Sequence, residues 1–118
     1  MTDAHHIAAI VPARDMDASA AFYARLGLET VSDYGDYRIL SDERGWRLHL
    51  RLTPEWPARV EDNPLGLYLY VEDVDALAAR MRDLIIDPAD PRPKPWGCYE
   101  FAVSDPSGVL VRVGRILG

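Results

Sequence analysis

Trp96-Gly97-Cys98-Tyr99-Glu100-Phe101-Ala102-Val103-Ser104-Asp105-Pro106-Ser107-Gly108-Val109-Leu110-Val111-Arg112-Val113-Gly114 is the stretch that decides the fold. Phe101, Val103, Val109, Val111 and Val113 recur at every second position, which sets them on one face of two strands joined through Asp105-Pro106-Ser107-Gly108. The other face carries Cys98, Glu100, Ala102, Leu110, Arg112 and Gly114. It is mixed and polar, so function is to be sought there.

Working outward, Ser41-Asp42-Glu43-Arg44-Gly45-Trp46-Arg47-Leu48-His49-Leu50 lines up with Ser104 to Val113, turn on turn and strand on strand, and sets His49 against Arg112. The chain therefore reads as an internal repeat. Its first half begins with a strand from His6 to Val11, closed by Pro12. A helix capped by Asp15 or Asp17 runs to about Leu26, with Ala20, Ala21, Phe22, Tyr23 and Leu26 for its buried side and Gly27 as its stop. Strands follow at Leu28 to Ser32, Tyr37 to Leu40 and Trp46 to Leu52. Pro54 to Pro64 is a linker, after which the order restarts with a strand Leu67 to Val71, a helix from about Val74 to Leu84, a weak strand near Leu84 to Ile86, and the hairpin. Asp17 to Ala21 echoes Asp75 to Ala79. The segment Asp87 to Pro95, with four prolines in nine residues, favours an extended loop, either a surface connector or the rim of a site.

The 118 residues, 48% of them hydrophobic, suffice for one compact domain, with module one at about 5–53, the linker at about 54–64 and module two at about 65–118. No apolar run approaches membrane-spanning length and no signal peptide is recognisable, so a cytoplasmic protein is expected. Cys98 is alone, which precludes an internal disulfide and reads as a half-buried strand residue. The net charge of −6 argues against nucleic acid, whose phosphates need a basic footprint.

Period-two arithmetic sets Leu48, Leu50 and Leu52 opposite Arg47, His49 and Arg51, and Leu67, Leu69 and Val71 opposite Gly66, Tyr68 and Tyr70. The apolar rows are expected to meet the helices. The remaining face would be a cup lined by Arg47, His49, Arg51, Tyr68, Tyr70, Glu100 and Arg112, aromatic walls with a few directed polar groups. Alternation by itself equally describes half-exposed strands with cross-strand pairs and no ligand. The repeat favours the cup.

The paired βαβββ units with Asp-x-x-Gly turns, the opening Val11-Pro12-Ala13-Arg14-Asp15 and the segment Pro95-Trp96-Gly97, Glu100-Phe101-Ala102-Val103, Asp105-Pro106-x-Gly108 carry a resemblance. Together they resemble the glyoxalase, bleomycin-resistance and extradiol dioxygenase (vicinal oxygen chelate) superfamily, over essentially the whole chain and most of all its bleomycin-resistance branch. The resemblance implies an α+β fold in which two βαβββ modules form a curved mixed sheet, a cup, with helices on its convex face. It also implies four metal-ligand positions, matched here by His6, His49, Gly66 and Arg112. One of these has no side chain and one is a cation.

The binding branch fits better, and what it implies is a homodimer whose clefts hold a planar aromatic small molecule between rings. The matching rings are Tyr34, Tyr37, Tyr68, Tyr70 and Trp96. Asp33 and Asp36 could hold a cationic tail, and Trp46 reads as core. Arg47, Arg51 and Arg112 suit an anionic ligand or pair internally, Glu100 being one partner. The expectation is metal-independent binding or sequestration of an antibiotic or natural product, with no catalytic residue, no cofactor and neither nucleic acid nor membrane as partner. The alternative is a metal-dependent lyase, isomerase or dioxygenase using His6, His49 and Glu100. A closed monomer stays open beside the dimer.

Overall fold

The structure is a computed structural model and describes residues 5–86 and 90–118. The chain divides into two compact units, Met1–Trp56 and Pro57–Gly118, and the division falls inside the segment expected to be a linker. The first unit contains β1 (Ala9–Ala13), α1 (Met16–Arg25), β2 (Glu29–Asp33), β3 (Tyr37–Ser41) and β4 (Arg47–Leu52). The second contains β5 (Gly66–Tyr70), α2 (Val74–Arg80), β6 (Arg92–Pro93), β7 (Cys98–Ser104) and β8 (Leu110–Ile116). Each unit folds as βαβββ around its own four-stranded mixed sheet, in the order β1-β4-β3-β2 and β5-β8-β7-β6. In each, the first strand runs parallel to the last and the other pairs are antiparallel. The repeat read from two turns is thus a repeat of topology.

The turn chemistry explains the repeat. Asp42 Oδ1 accepts hydrogen bonds from the backbone N–H groups of Arg44, Gly45 and Trp46 at 2.8, 3.1 and 2.8 Å. Asp105 Oδ1 accepts those of Ser107 and Val109 at 2.8 and 2.9 Å. In both turns the carboxylate satisfies amides that the hairpin leaves unpaired, and a glycine with positive φ, Gly45 or Gly108, completes the reversal. Gly108 serves a second need. A Cβ there would stand 2.6 Å from the carbonyl carbon of Ala58, so the turn packs directly on the backbone that leads into β5. Asn63 Nδ2 donates to the Ser107 carbonyl at 3.3 Å and closes the same corner.

Both helices start at an aspartate cap: Asp15 accepts from Ala18 N, and Asp73 from Ala76 N, each at 3.0 Å. Asp15, not Asp17, caps α1, and Asp17 instead accepts from Arg38 Nη2 at 2.7 Å. The buried stripe of α1 is Met16, Ser19, Phe22 and Tyr23, continued by Leu26. Its i, i+3, i+4 spacing leaves Ala21, expected inside, exposed. α1 packs on β2 and β4, and α2 on β7 and β8. Val11, Leu40, Leu48 and Leu50 form the core of the first unit, and Leu69, Phe101, Val103, Val109, Val111 and Val113 that of the second. One face of each sheet is covered by its helix, as the apolar rows require, and the other is left open.

Three expectations are corrected. β1 begins at Ala9 rather than His6 and continues through Pro12, which pairs with Arg51; an edge strand tolerates a residue without an N–H. α2 ends at Arg80, and a single 3-10 turn, Arg82–Leu84, occupies the residues assigned to its end. The weak strand at Leu84 to Ile86 shrinks to one bridge, Ile85 to Val103, and one hydrogen bond from Ile86 N to the Ala102 carbonyl at 2.8 Å. The edge of the second sheet is completed by β6, drawn from the proline-rich segment. Asp87, Pro88 and Ala89 of that segment lie outside the described residues.

Candidate functional site

On the open face of the second sheet, strand register brings the predicted residues together. Tyr68 stands opposite Arg112 in the β5–β8 pair, and Glu100 opposite Gly114 in the β7–β8 pair. Trp96 sits in the turn that leads into β7, where Gly97 with φ 87° bonds back to the Lys94 carbonyl at 3.0 Å. The centre is Glu100, only 1% exposed. Its Oε1 accepts from Trp96 Nε1 at 2.7 Å and Tyr68 Oη at 3.0 Å, and its Oε2 from Arg112 Nη1 at 2.8 Å. A buried carboxylate needs such donors, since an unpaired one costs several kcal/mol.

Burial pushes the Glu100 carboxyl up, but the hydrogen bonds from Trp96, Arg112 and Tyr68, with the charge of Arg112, outweigh it and hold the group below the usual carboxylate range. Burial, with Cys98 and Glu100 alongside, pushes the Tyr68 hydroxyl well above its ordinary value, so it stays a donor. Gly114 makes the arrangement possible. A Cβ at that position would collide with the Tyr68 hydroxyl and stand 2.7 Å from Glu100 Cβ.

Rings surround this centre. Trp96 is 58% exposed although its Nε1 is anchored, and the Arg112 guanidinium lies 5.4 Å from its ring centroid, with Lys94 at 5.9 Å. The Tyr68 and Tyr70 rings lie with centroids 4.6 Å apart, tilted by 36°, and Tyr70 is exposed. The face presents aromatic area of fixed orientation around one neutralised ion pair.

The open face of the first sheet is simpler. Tyr37 Oη and His49 Nδ1 are 2.6 Å apart, their rings edge to face at 5.3 Å. Arg47 and Arg51 lie on the same face, exposed, with no ion pair to the described residues. Tyr34 is exposed at the β2–β3 turn. Asp33 accepts from Gly35 N at 2.8 Å and lies 3.3 Å from Arg38 Nε, so it serves its own turn and a partner on β3. Trp46 is half-buried just before β4.

The residues weighed as metal ligands are divided between the two units, His6 and His49 in the first and Gly66, Glu100 and Arg112 in the second. His6 is exposed and precedes β1, both oxygens of Glu100 are occupied by donors, and Arg112 is bound to Glu100. Among the described residues no group of three or more His, Cys, Asp or Glu is placed to hold a metal ion. Cys98 is a free, buried thiol on this sheet. Sequence reasoning put Gly114 on this face but missed its role; the available signal was a residue without a side chain directly across a hairpin from a glutamate. It also missed Lys94.

A cavity of about 260 Å³ lies elsewhere in the second unit, lined by Asp75, Ala78, Arg82, Asp90 and Tyr99 among others. The Tyr99 hydroxyl donates to Asp75 across it at 2.6 Å.

The family model of the Glyoxalase/Bleomycin resistance protein/Dioxygenase superfamily matches residues 4–113. The chain belongs to this superfamily. Solved structures agree in fold. A bleomycin-binding protein complexed with bleomycin is 24% identical, with a TM-score of 0.79 over 94% of this chain and 98% of that one. The bleomycin-binding protein of the bleomycin-producing Streptomyces verticillus, complexed with copper(II)-bleomycin, is 27% identical, with a TM-score of 0.70 over 100% and 99%. A superfamily member from Alicyclobacillus acidocaldarius is 24% identical, with a TM-score of 0.77 over 98% and 92%. No curated protein matches the chain. Among the described residues of this superfamily member no helix is long and apolar enough to cross a membrane.

Proposed function

We propose that this chain binds a planar aromatic small molecule of the antibiotic or natural-product class and sequesters it without chemical change or a metal. The carrying observation is Trp96, whose ring is exposed while its indole N–H is held by the buried Glu100. An exposed tryptophan that is only a surface residue has no need of a buried anchor. One that serves as a stacking platform gains from it, because fixing the ring beforehand removes an ordering cost at binding. Each ring pair formed with a ligand is worth about 0.5–1.5 kcal/mol beyond area burial. The likeness to bleomycin-binding proteins supports the same reading.

The protein acts as a homodimer in this proposal. Its support is apolar surface left on the open sheet faces, Ile10 at 58%, Tyr70 at 59% and Ile116 at 70% exposure, which pairing with a second copy would cover. The test is quenching of tryptophan fluorescence during titration with bleomycin, quinoxaline antibiotics and other planar natural products, with and without chelator. The expected result is saturable binding that chelation leaves unchanged and that Trp96→Ala weakens at least tenfold, the loss of about 1.4 kcal/mol. Binding unaffected by Trp96→Ala refutes the assignment of the platform. Failure of every ligand refutes the function.

A further inference from the structure

The open face of the second sheet holds three basic groups, Arg112 and Lys94 against the Trp96 ring and Arg92 on β6 in register with Glu100. Among the described residues a single carboxylate is bonded within the cluster, Glu100, and it is almost completely buried. We propose that Glu100 is a specificity-determining and positioning residue: it fixes the Trp96 ring through Oε1 while cancelling the charge of Arg112 through Oε2, and so sets whether the face accepts a cationic or an anionic aromatic ligand. This rests on the reading of the face as a binding surface.

Three observations carry it. The two oxygens are divided between two tasks, one bonded to the neutral donors Trp96 and Tyr68, the other to the cation. The geometry is built at a cost in sequence freedom, since Gly114 must lack a side chain for Glu100 and Tyr68 to approach. The pair is also asymmetric: the Arg112 side chain is 38% exposed and within reach of a ligand, while Glu100 is not. Ionised Glu100 is therefore felt by a ligand through the charge it cancels and the ring it orients, never by contact. Lys94 and Arg92 differ in kind, having no buried counter-charge among the described residues; where exposed they are screened by solvent and salt.

Glu100→Gln keeps the shape but offers one acceptor oxygen and one NH2 group, so either Arg112 or the pair Trp96 and Tyr68 faces a donor. Arg112 is left uncompensated. Arg112→Gln does the reverse and leaves an unbalanced carboxylate that an amide can still bond. The experiment measures affinities for two planar probes of opposite charge, the cation proflavine and an anthraquinone sulfonate, in wild type, both single variants and the double variant. The anion-to-cation affinity ratio is expected to rise about tenfold in Glu100→Gln, fall about tenfold in Arg112→Gln, and return to near the wild-type value in the double variant, as one elementary charge near a surface site predicts. In parallel, the indole N–H resonance of Trp96, assigned by its absence in Trp96→Phe, should move upfield in Glu100→Gln and stay nearly in place in Arg112→Gln.

If both single variants weaken both probes alike, or the ratio stays constant in variants that fold, Glu100 is only structural and the inference is overturned while the binding reading stands. If wild type binds neither probe, Glu100 sets no choice of charge at this face and the inference is overturned, while the binding reading falls only when the planar natural products fail as well. An indole resonance indifferent to Glu100→Gln overturns the positioning role whatever the probes do. Should Glu100→Gln not fold, Arg112→Gln still decides the charge assignment by the sign of its shift.

Discussion

Replacing Gly114 by alanine puts two opposed effects in competition, and the structure decides between them. Gly114 lies in β8 without a positive φ, so alanine is conformationally admissible and would by itself stabilise by about 0.4–1 kcal/mol through the unfolded chain. Space says otherwise. The new Cβ would overlap the Tyr68 hydroxyl and stand 2.7 Å from Glu100 Cβ and 2.8 Å from the Tyr99 carbonyl oxygen. The hydroxyl can swing aside only by breaking its bond to Glu100, a loss of about 1.5–3 kcal/mol for a bond to a charged group. The other two atoms belong to the neighbouring strand, or to its first side-chain carbon, and cannot rotate away. Overpacking of that kind costs about 1–3 kcal/mol. The two penalties overlap, since movement that relieves one also lessens the other, so the net expectation is a destabilisation of about 2–4 kcal/mol. Urea unfolding followed by far-UV circular dichroism measures it. The double variant Tyr68→Phe/Gly114→Ala should recover part of the loss, because only the hydroxyl contact is removed, giving a coupling of at least about 0.5 kcal/mol. A Gly114→Ala protein as stable as wild type, or an additive double variant, would refute the packing argument.

Two further outcomes are expected. Asp105→Ala removes the acceptor of two backbone N–H groups from a buried turn and should cost about 2–4 kcal/mol in the same unfolding assay. Asp42→Ala, in the more exposed twin turn, should cost less. The pH dependence follows from Glu100. Its folded-state pKa lies below the ordinary value of 4.5, so its contribution to stability is fully present above that value and is lost as pH falls through the depressed one. Thermal melts from pH 7 down to pH 3 should therefore show a steeper acid loss in wild type than in Glu100→Gln, and equal slopes would exclude the assigned direction.

The architecture was legible because the informative residues act locally. An aspartate that accepts the amides of its own turn fixes where a hairpin reverses, and once the turn is placed, alternation fixes which side chain faces which way. Asp42 and Asp105 therefore located β3–β4 and β7–β8, and with them the faces that carry His49, Arg112 and Glu100, while alternation along β5 placed Tyr68. What failed depended on longer reach. The end of α2 at Arg80 and the shrinking of the Leu84 to Ile86 strand to a bridge are settled by what the adjoining edge can pair, and prolines limit that edge to β6. His6 was assigned to β1 by hydrophobicity, but strand pairing begins at Ala9. Alternation put Arg112 and Glu100 on one face without saying whether they touch. Their contact is diagonal, since Arg112 stands opposite Ala102 and Glu100 opposite Gly114, and it exists because two small residues leave the space between them.

That diagonal pair also reframes the charge of the open faces. Counted from sequence, Arg47, Arg51 and Arg112 are three equivalent cations opposed to any cationic ligand. In the structure they are not equivalent. Arg112 is held 2.8 Å from a carboxylate that is 1% exposed, so its charge is balanced at short range although its own side chain is 38% exposed. Arg47 and Arg51 are exposed on the first sheet, where water and ions screen them beyond about 8–10 Å. In the proposed reading, a planar cation at Trp96 meets Arg112 already paired rather than a bare guanidinium, with Lys94, 5.9 Å from the ring centroid, left to oppose it. Within the proposed reading, Arg112 is therefore no argument against a cationic aromatic ligand at Trp96 while Glu100 is present; loss of Glu100 would make it one.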